Sequence, residues 1–409
     1  MKPASASPID PRLIVDAPGL SGAWAGFRRR VAQGELGSLP VVVGLAVIWA
    51  IFYSANPRFL SPVNLTNLLL QIAAMGTISA GLVLILLLGE IDLSAGVVSG
   101  LSAAVMAVLN VKLAWPAIPS LAAGVACGAA IGAFHGLWIT RLKVPSFVVT
   151  LAGLLAWQGA LLYVLGDTGT INLVDDVILA IAGTFWPPAI AWALAGAAAF
   201  ALSGGAVIGR RRRAAAGLPV PPWRADVASI AVRALLLAGV ATVFTLDRGL
   251  PVAVVLFVGI VLALETLLRR TRFGRHVFAV GGGAEAARRA GIAVDRVRVL
   301  VYALAAALAA AGGILAASRL LAVNQSSGSG DVLLSAIAAA VIGGTSLFGG
   351  RGSAWSAVLG ALVIGSISNG MDLLALSSSV KFMVTGAVLL VAASIDAVSR
   401  RGRAAAGRI

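Results

Sequence analysis

The chain has 409 residues, of which 59% are hydrophobic and only 11% are charged, and its formal net charge is +15. About a quarter of the residues in a soluble globular protein are charged, so this composition excludes that class and predicts a membrane protein. The single cysteine, Cys127, excludes a disulfide framework, a CxxC redox pair and a thiolate metal cluster. The basic charge is dispersed between apolar runs, so no nucleic-acid partner is predicted.

The first 36 residues are polar and carry Arg28, Arg29 and Arg30 near their end. The apolar run that follows has no convincing small-residue cleavage site, which indicates an uncleaved start-transfer helix. Residues 1–36 are therefore predicted to be a cytoplasmic segment, residues 37–399 a transmembrane domain and residues 400–409 a cytoplasmic tail.

Twelve apolar runs approach the roughly 20-residue length that crosses a bilayer, and the tenth and eleventh are short. They span residues 39–53, 65–88, 95–111, 117–139, 147–165, 187–208, 227–246, 250–268, 299–317, 332–347, 354–367 and 382–398. The sequence predicts an all-α polytopic membrane protein with about 12 transmembrane or half-spanning helices.

Basic residues are distributed unevenly between alternate loops. With the N-terminus in the cytoplasm, 26 of the 31 lysines and arginines fall on the cytoplasmic side and 5 fall outside. This asymmetry predicts a multi-pass protein with both termini in the cytoplasm. Residues 209–226 are predicted to be a basic cytoplasmic loop, in which Pro219, Pro221 and Pro222 disfavour a helix. Contact of this loop with lipid headgroups is a second interpretation.

An outer segment, residues 166–186, contains Asp167, Asp175 and Asp176 beside an apolar stretch, residues 177–182, that is too short to span a membrane. We expect a surface helix here, which could meet an external partner.

The one long polar segment in the second half, residues 269–298, contains a short helix signal. Three glycines, Gly281 to Gly283, precede AEAARRA, and Gly291 follows, which is a start-and-stop pattern for a helix of about two turns. Glu285 stands three and four residues before Arg288 and Arg289, a favourable order for helical ion pairs. So short a helix is marginal in water, so a neighbour should hold it. Its small face, from Ala284 through Ala287 to Gly291, would fit a groove on a partner. In the alternative interpretation the arginines only fix topology.

Two segments, LLGEIDLSAG (residues 87–96) and VIGGTSLFGG (residues 341–350), each interrupt an apolar run with a glycine-flanked polar tetrad. This similarity suggests an internal duplication with broken helices, which in transporters points to a binding site. Chance is the alternative in a chain with 48 glycines. The candidate path residues are Glu90, Asp92, Ser94, Thr345, Ser346 and Asn369.

Each of these residues also has a structural interpretation. Asp92 could cap the helix that follows it. Ser366, Ser368 and Asn369 offer uncharged donors and acceptors that suit a neutral polar solute and could equally form hydrogen bonds between helices. His135 is predicted to be packed, and neither histidine has neighbours at metal-ligand spacing, so no metal and no cofactor are predicted.

The three motifs RFGRHVFAVGGGAEAARRAGI (residues 272–292), IGGTSLFGGRGSAW (342–355) and GEIDLSAG (89–96) together resemble the membrane permeases of ribose- and xylose-type sugar ABC importers. The similarity runs from about residue 39 to residue 401. The basic loop near Arg210 and NGMDLL (369–374) are most similar to the xylose or multiple-sugar branch. The family usually has a second glycine where this chain has Glu90.

The resemblance implies the permease subunit of an ATP-driven importer in the bacterial inner membrane. The implied substrate is a monosaccharide, with a pentose such as xylose favoured. The implied partners are a second copy of the chain, a cytoplasmic ABC ATPase, an extracytoplasmic sugar-binding protein and membrane lipid. The ATPase would dock on residues 269–298, and the residues assigned to this coupling are Gly281, Gly283, Ala284, Glu285, Ala287, Arg288 and Gly291.

The energy source separates the remaining alternatives. None of the four lysines stands in a G-x-x-x-x-G-K-[ST] motif, so a separate subunit must bind ATP if ATP drives transport, and the chain is not predicted to be an enzyme. The main alternative is an ion-coupled secondary transporter of a small polar solute that uses Glu90 and Asp92. A membrane-embedded enzyme is disfavoured because no nucleophile, metal set or acid-base pair is present.

Overall fold

A computed structural model describes residues 39–218, 220 and 223–405. The predicted N-terminal segment, residues 1–36, and residues 406–409 of the predicted tail lie outside the described residues. Pro219, Pro221 and Pro222 lie outside them as well.

Fifteen α-helices make up most of the described chain. They are α1 (Leu39–Ala55), α2 (Pro62–Leu87), α3 (Ala95–Ala107), α4 (Ala117–Leu142), α5 (Ser146–Leu165), α6 (Asp176–Gly183), α7 (Pro188–Ala215), α8 (Trp223–Thr245), α9 (Val252–Arg270), α10 (Arg272–Gly282), α11 (Ala284–Arg289), α12 (Val294–Leu320), α13 (Gly330–Ile342), α14 (Trp355–Leu373) and α15 (Ser378–Ala405). A 3₁₀ turn, Pro57–Leu60, precedes α2, and a π-helical segment, Val108–Lys112, continues α3.

Strands are few and short: β1 (Thr170–Asn172), β2 (Phe185–Trp186), β3 (Leu250–Pro251) and β4 (Ala322–Asn324). Strand β1 pairs with β4 in antiparallel register, with Ile171 opposite Val323.

Each of the twelve predicted apolar runs coincides with a helix, so the all-α membrane fold is confirmed. Within the described residues, nine helices are long and apolar enough to cross a membrane, and three shorter apolar helices occupy the remaining predicted runs. Among these, α13 has 13 residues. At 1.5 Å per residue it is about 20 Å long, which is shorter than the roughly 30 Å hydrocarbon core.

The described chain clusters into two compact units. Residues 186–250, with 401–405, form the smaller one, in which α7 and α8 are joined by an Arg210–Asp226 ion pair of 2.8 Å and a hydrogen bond of 3.0 Å from Trp192 Nε1 to Thr245 Oγ1. The four arginines 210–213 lie in the last turns of α7 rather than in an extended loop, so the connector is shorter than the sequence predicts.

Helix α12 is central to the larger unit, residues 37–185 and 251–400. It packs closely on α4 because Gly124, Gly128, Gly132 and Gly136 recur every four residues and so share one helix face. A Cβ built at Gly128 would lie 2.6 Å from Ala306 O, and one built at Gly132 would overlap Tyr302 O. Small side chains therefore let the two backbones touch.

Two irregular breaks interrupt this helical unit. The first lies between α2 and α3, and the second between α13 and α14. Helix α13 begins against the first turn of α3, because a Cβ built at Gly96 would lie 2.7 Å from Gly328 O and 2.9 Å from Leu333 Cβ. Both α3 and α13 therefore begin beside other helices, inside the bundle.

Candidate functional site

The three sequence motifs meet backbone to backbone. Gly350 N donates a hydrogen bond of 2.9 Å to Leu87 O. A Cβ built at Gly281 would overlap Leu87 O, and one built at Gly349 would lie 2.6 Å from Gly281 O and 2.8 Å from Gly89 N. We call this set, Leu87, Gly89, Gly281, Gly349 and Gly350, the glycine junction. It joins the end of α10 to both breaks.

Glycine is required in the junction for two physical reasons. The close backbone approach leaves no room for a side chain at Gly281 or Gly349. Gly89, Gly349 and Gly350 also have φ values of +75°, +83° and +72°, in the left-handed region that residues with a Cβ adopt at a cost.

The coupling segment forms two helices. As predicted, a short helix, α11, lies between glycines, with Gly283 at its N-cap and Gly291 at a φ of +82° after its end. Glu285 pairs with Arg288 at 3.1 Å and with Arg289 at 3.2 Å, as its spacing indicates. The preceding helix, α10, was not predicted.

Helix α11 is held by packing against α12 of the same chain. Ala287 is 4% exposed and belongs to the same hydrophobic cluster as Val294 and Val297 of α12, with Ala284 packed at its edge. This corrects the expectation that Ala284 and Ala287 face a groove on a partner. The exposed side of α11 carries the other residues of the helix, Glu285, Ala286, Arg288 and Arg289, and continues to Ala290 and Gly291. Gly281 and Gly283 are half-buried.

Glu90 lies in the first break and is 9% exposed. Its Oε1 is 2.7 Å from Arg298 Nε in an ion pair that lacks the alignment of a hydrogen bond, and its Oε2 has no hydrogen-bond partner among the described residues. Burial raises the pKa of Glu90 above its usual value, and the charge of Arg298 opposes this shift. Arg298, in the second turn of α12, was not predicted, because nothing in the sequence connects it to residue 90.

Asp92 and Ser94 bind each other. Asp92 Oδ1 accepts hydrogen bonds from Ser94 N at 2.7 Å and from Ser94 Oγ at 2.6 Å, immediately before α3 begins. Both residues are buried. These bonds form a local turn at Ser94, the N-cap residue of α3, which makes no side-chain capping bond, so Asp92 orients the residue before the helix and does not cap the helix itself.

Thr345 and Ser346 lie in the second break and are also buried. Ser346 Oγ accepts a hydrogen bond of 3.2 Å from Phe348 N, whereas Thr345 Oγ1 has no partner in the described chain. Five of the predicted path residues, Glu90, Asp92, Ser94, Thr345 and Ser346, thus lie in the two breaks, and all five are shielded from solvent.

Asn369 lies apart from these residues. Its side-chain amide exchanges two hydrogen bonds, of 2.8 and 3.0 Å, with Asn64 in the first turn of α2, and Asn64 also donates to Phe59 O. On the same helix, Ser366 Oγ accepts a hydrogen bond from Trp49 Nε1. The structure gives both α14 residues interhelical roles, so Asn369 is removed from the group near Glu90.

The outer segment contains the expected short helix, α6. Asp175 caps it by accepting hydrogen bonds from Val177 N at 2.9 Å and Ile178 N at 3.3 Å. Asn110 Nδ2 donates to the second carboxylate oxygen at 3.0 Å, and these bonds, with Asn110 first, lower the pKa of Asp175. Ser318 Oγ of α12 binds α6 by donating a hydrogen bond to Ile178 O and accepting one from Ala182 N.

Among the described residues, no cluster of three histidine, cysteine, aspartate or glutamate side chains could hold a metal ion. His135 is buried and accepts a hydrogen bond of 2.9 Å from Trp157 Nε1, as expected of a packed histidine.

Comparison with known proteins identifies relatives of the whole chain. Residues 64–393 match the family model described as branched-chain amino acid transport system / permease component. The xylose transport system permease protein XylH of Escherichia coli strain K12 is 35% identical over 402 residues, which cover 97% of this chain and 99% of that protein. The ribose import permease protein RbsC of Bacillus subtilis is 33% identical over 364 residues, covering 89% and 94%. No solved structure matches the chain significantly.

Proposed function

The chain belongs to the family of branched-chain amino acid transport system permease components, and from this membership we propose that it is the transmembrane permease subunit of an ATP-driven ABC importer. The cargo is a monosaccharide, with a pentose such as xylose favoured over an amino acid. The support is that near-full-length relatives at 35% and 33% identity carry the names of xylose and ribose permeases. ATP hydrolysis belongs to a separate subunit.

The observation that carries the proposal is the glycine junction. An external motor can open and close a path only if it contacts the permease differently in two states and if that contact is transmitted to the path. Here Gly281, in the last turn of α10, is in direct backbone contact with Leu87, which ends α2 at the first break, and with Gly349 in the second break. A displacement of α10 and α11 therefore displaces both breaks.

The proposed partners follow from the exposed side of α11. A cytoplasmic ABC ATPase binds Glu285, Ala286 and Arg288 and their neighbours, whereas Gly281, Gly283, Ala284 and Ala287 act through the chain's own packing. A second copy of the chain, an extracytoplasmic sugar-binding protein and surrounding lipid complete the importer. Residues 37–399 form its permease domain.

The proposed topology places residues 1–36, the loop 209–226, the coupling segment 269–298 and the tail 400–409 in the cytoplasm of a bacterial cell. Support comes from the basic residues that lie at or near the junction end of the larger unit, namely Arg141, Lys143, Arg269, Arg270, Arg272, Arg275, Arg288, Arg289, Arg296, Arg298 and Arg351. Reporter fusions after Arg212 and Arg289 should score as cytoplasmic, and fusions after Asp175 and Gly328 as external. A cytoplasmic signal at Asp175 would contradict this topology.

The test of function is reconstituted uptake. The full chain is placed in vesicles with its ATPase and binding protein, and uptake of radiolabelled xylose, ribose and leucine is measured with and without ATP. Uptake of a pentose that requires both ATP and the ATPase supports the proposal. Uptake of leucine alone would contradict the assignment of cargo.

One observation favours a second candidate, an ion-coupled secondary transporter. Glu90 is buried, its Oε2 has no partner among the described residues, and burial raises its pKa. A carboxylate of this kind can carry a proton. Uptake by the chain alone, driven by a proton gradient without nucleotide, would support this candidate and contradict the first.

A further inference from the structure

A cavity of about 390 Å³ lies between the first turns of α13, the second half of α14 and the first turns of α15. Four hydroxyl residues line it: Ser378 is exposed at the start of α15, and Ser335, Ser368 and Thr385 are half-buried, one on each helix. Ile364 and Leu389 contribute apolar walls. None of these residues belongs to the path predicted from the sequence, and none lies in the glycine junction.

The three half-buried hydroxyls share one feature, the lack of a hydrogen-bond partner among the described residues. Serine and threonine in apolar helices commonly donate to the carbonyl one turn earlier, as Thr77 and Thr140 do here at 2.7 and 2.8 Å. Ser335, Ser368 and Thr385 are half-buried and make no hydrogen bond within the described chain. Because an unsatisfied polar group is costly away from water, the cavity must hold polar molecules.

The three half-buried hydroxyl residues also lie more than one turn from the ends of their helices. Ser335 is five residues after the start of α13, Ser368 five before the end of α14 and Thr385 seven after the start of α15. At 1.5 Å per residue these offsets are about 8 to 11 Å. The hydroxyls therefore lie one to two turns inside the cavity from the helix ends that form its rim.

The charged groups at the cavity rim already have partners. Asp331 accepts a hydrogen bond from Ser329, and Lys381 forms an ion pair with Asp372. Each of these charges is thus engaged at the rim, and the deeper hydrogen-bonding groups of the cavity, Ser335, Ser368 and Thr385, are neutral. Neutral hydroxyls set among apolar walls suit a ligand with hydroxyl edges and an apolar ring face.

We propose that this cavity is a binding site for a neutral polyhydroxylated solute, a monosaccharide, held by Ser335, Ser368 and Thr385. The proposal rests on the proposed function and adds to it the place where the solute is bound, at the opposite end of α13 and α14 from the glycine junction. The cavity lies where α13 begins and α14 ends, so the site is approached from the end that carries β4, the strand just before α13.

The test uses the fact that the chain has one native cysteine. In a Cys127→Ala background, Ser368→Cys and Thr385→Cys are introduced singly into the full chain and exposed to a small, charged thiol reagent. Two positions serve as controls: Ser366→Cys on the same helix as Ser368, which is fully buried, and Ser326→Cys in the loop between β4 and α13, which is exposed outside the cavity. Labelling is repeated with xylose, ribose or leucine.

We expect labelling at residues 368 and 385 that is lost with xylose or ribose but not with leucine. We expect no labelling at 366, and labelling at 326 that sugar does not change. Labelling at 368 and 385 that no sugar reduces would identify a water-filled vestibule only, and absence of labelling would mean that the cavity is closed. Either result overturns the proposal. ATP-dependent pentose uptake by the Cys127→Ala chain separates failure of this site from failure of the proposed function.

Discussion

Replacing Gly281 by alanine should disrupt the contact between the coupling segment and the two breaks. The added Cβ would overlap Leu87 O and would lie 2.7 Å from Gly350 N. Both are backbone atoms, so no side-chain rotation relieves the clash, and the backbones must separate until carbon contacts reach about 3.5 Å. That movement also stretches the hydrogen bond from Gly350 N to Leu87 O.

The loss of stability in Gly281→Ala can be worked out from two costs and one gain. Overpacking costs about 1–3 kcal/mol, and loss of the hydrogen bond adds about 1 kcal/mol. Alanine returns roughly 0.5–1 kcal/mol because it favours helix over glycine. The net destabilisation is about 1–3.5 kcal/mol, and it is localised where the coupling segment meets the breaks.

The adjacent residue supplies a matched control. Gly282 is also in the last turn of α10, is exposed, and has no atom within 4 Å of a Cβ built on it. Gly282→Ala should leave stability unchanged or raise it by up to about 1 kcal/mol.

Thermal unfolding in detergent, co-purification of the ATPase and ATP-driven uptake should all be measured for both variants. We expect Gly281→Ala to unfold at a lower temperature and to lose uptake, and Gly282→Ala to behave as the unmodified chain. Equal stability and equal uptake in the two variants would refute the role assigned to the junction.

The remaining predictions concern the ion pair, the coupling helix and the outer cap. Arg298→Leu should leave the charge of Glu90 buried and unpaired, which costs a few kcal/mol of stability. Adding Glu90→Gln to the same chain should recover that stability. If thermal unfolding shows no recovery, the two residues are not paired. Because the pKa of Glu90 is raised, its ionisation destabilises the fold as pH rises from the usual carboxylate pKa through the raised value, so Glu90→Gln alone should flatten that part of a stability-against-pH curve. Ala286→Glu should reach the membrane at normal abundance and lose the ATPase, whereas Ala287→Glu should lower abundance because that site is buried in the chain itself; the reverse pattern would restore Ala287 to the partner surface. Asp175→Ala should cost about 1–2 kcal/mol of stability through loss of the cap. The difference should be present at neutral pH and absent in acid. Because the pKa of Asp175 is lowered in the fold, its stabilising effect is lost only as the pH falls through that lowered pKa.

The helical architecture was predictable because hydrocarbon thickness sets run length, and every predicted run coincides with a helix. The helix between Gly283 and Gly291 was predictable because its termini are marked locally. The meeting of Gly281 with Leu87 and Gly349 was not, because contacts between residues so distant in sequence leave no local pattern.

The side that α11 presents to a partner was misjudged for a related reason. Small side chains favour close packing but do not say against which surface, and Ala287 packs on α12. Ser368 was noted in the sequence as a neutral polar group, but Ser335 and Thr385 were overlooked because a serine or threonine in an apolar helix ordinarily bonds its own backbone. Only the coordinates show that these three do not.

Helix α12 connects the two functional ends of the larger unit without interruption. It has 27 residues and is therefore about 40 Å long. Its first turn packs against α11, and Ser318 in its last turn is bonded to α6 at the outer end. Since a helix fixed at both ends moves as one body, a tilt imposed by a motor at residue 294 displaces α6 on the far side of the membrane. The contact between α6 and an external protein bound to it would then depend on the nucleotide bound to the motor. Distances between spin labels on α6 and α11 should stay constant, while distances from either helix to α15 should change.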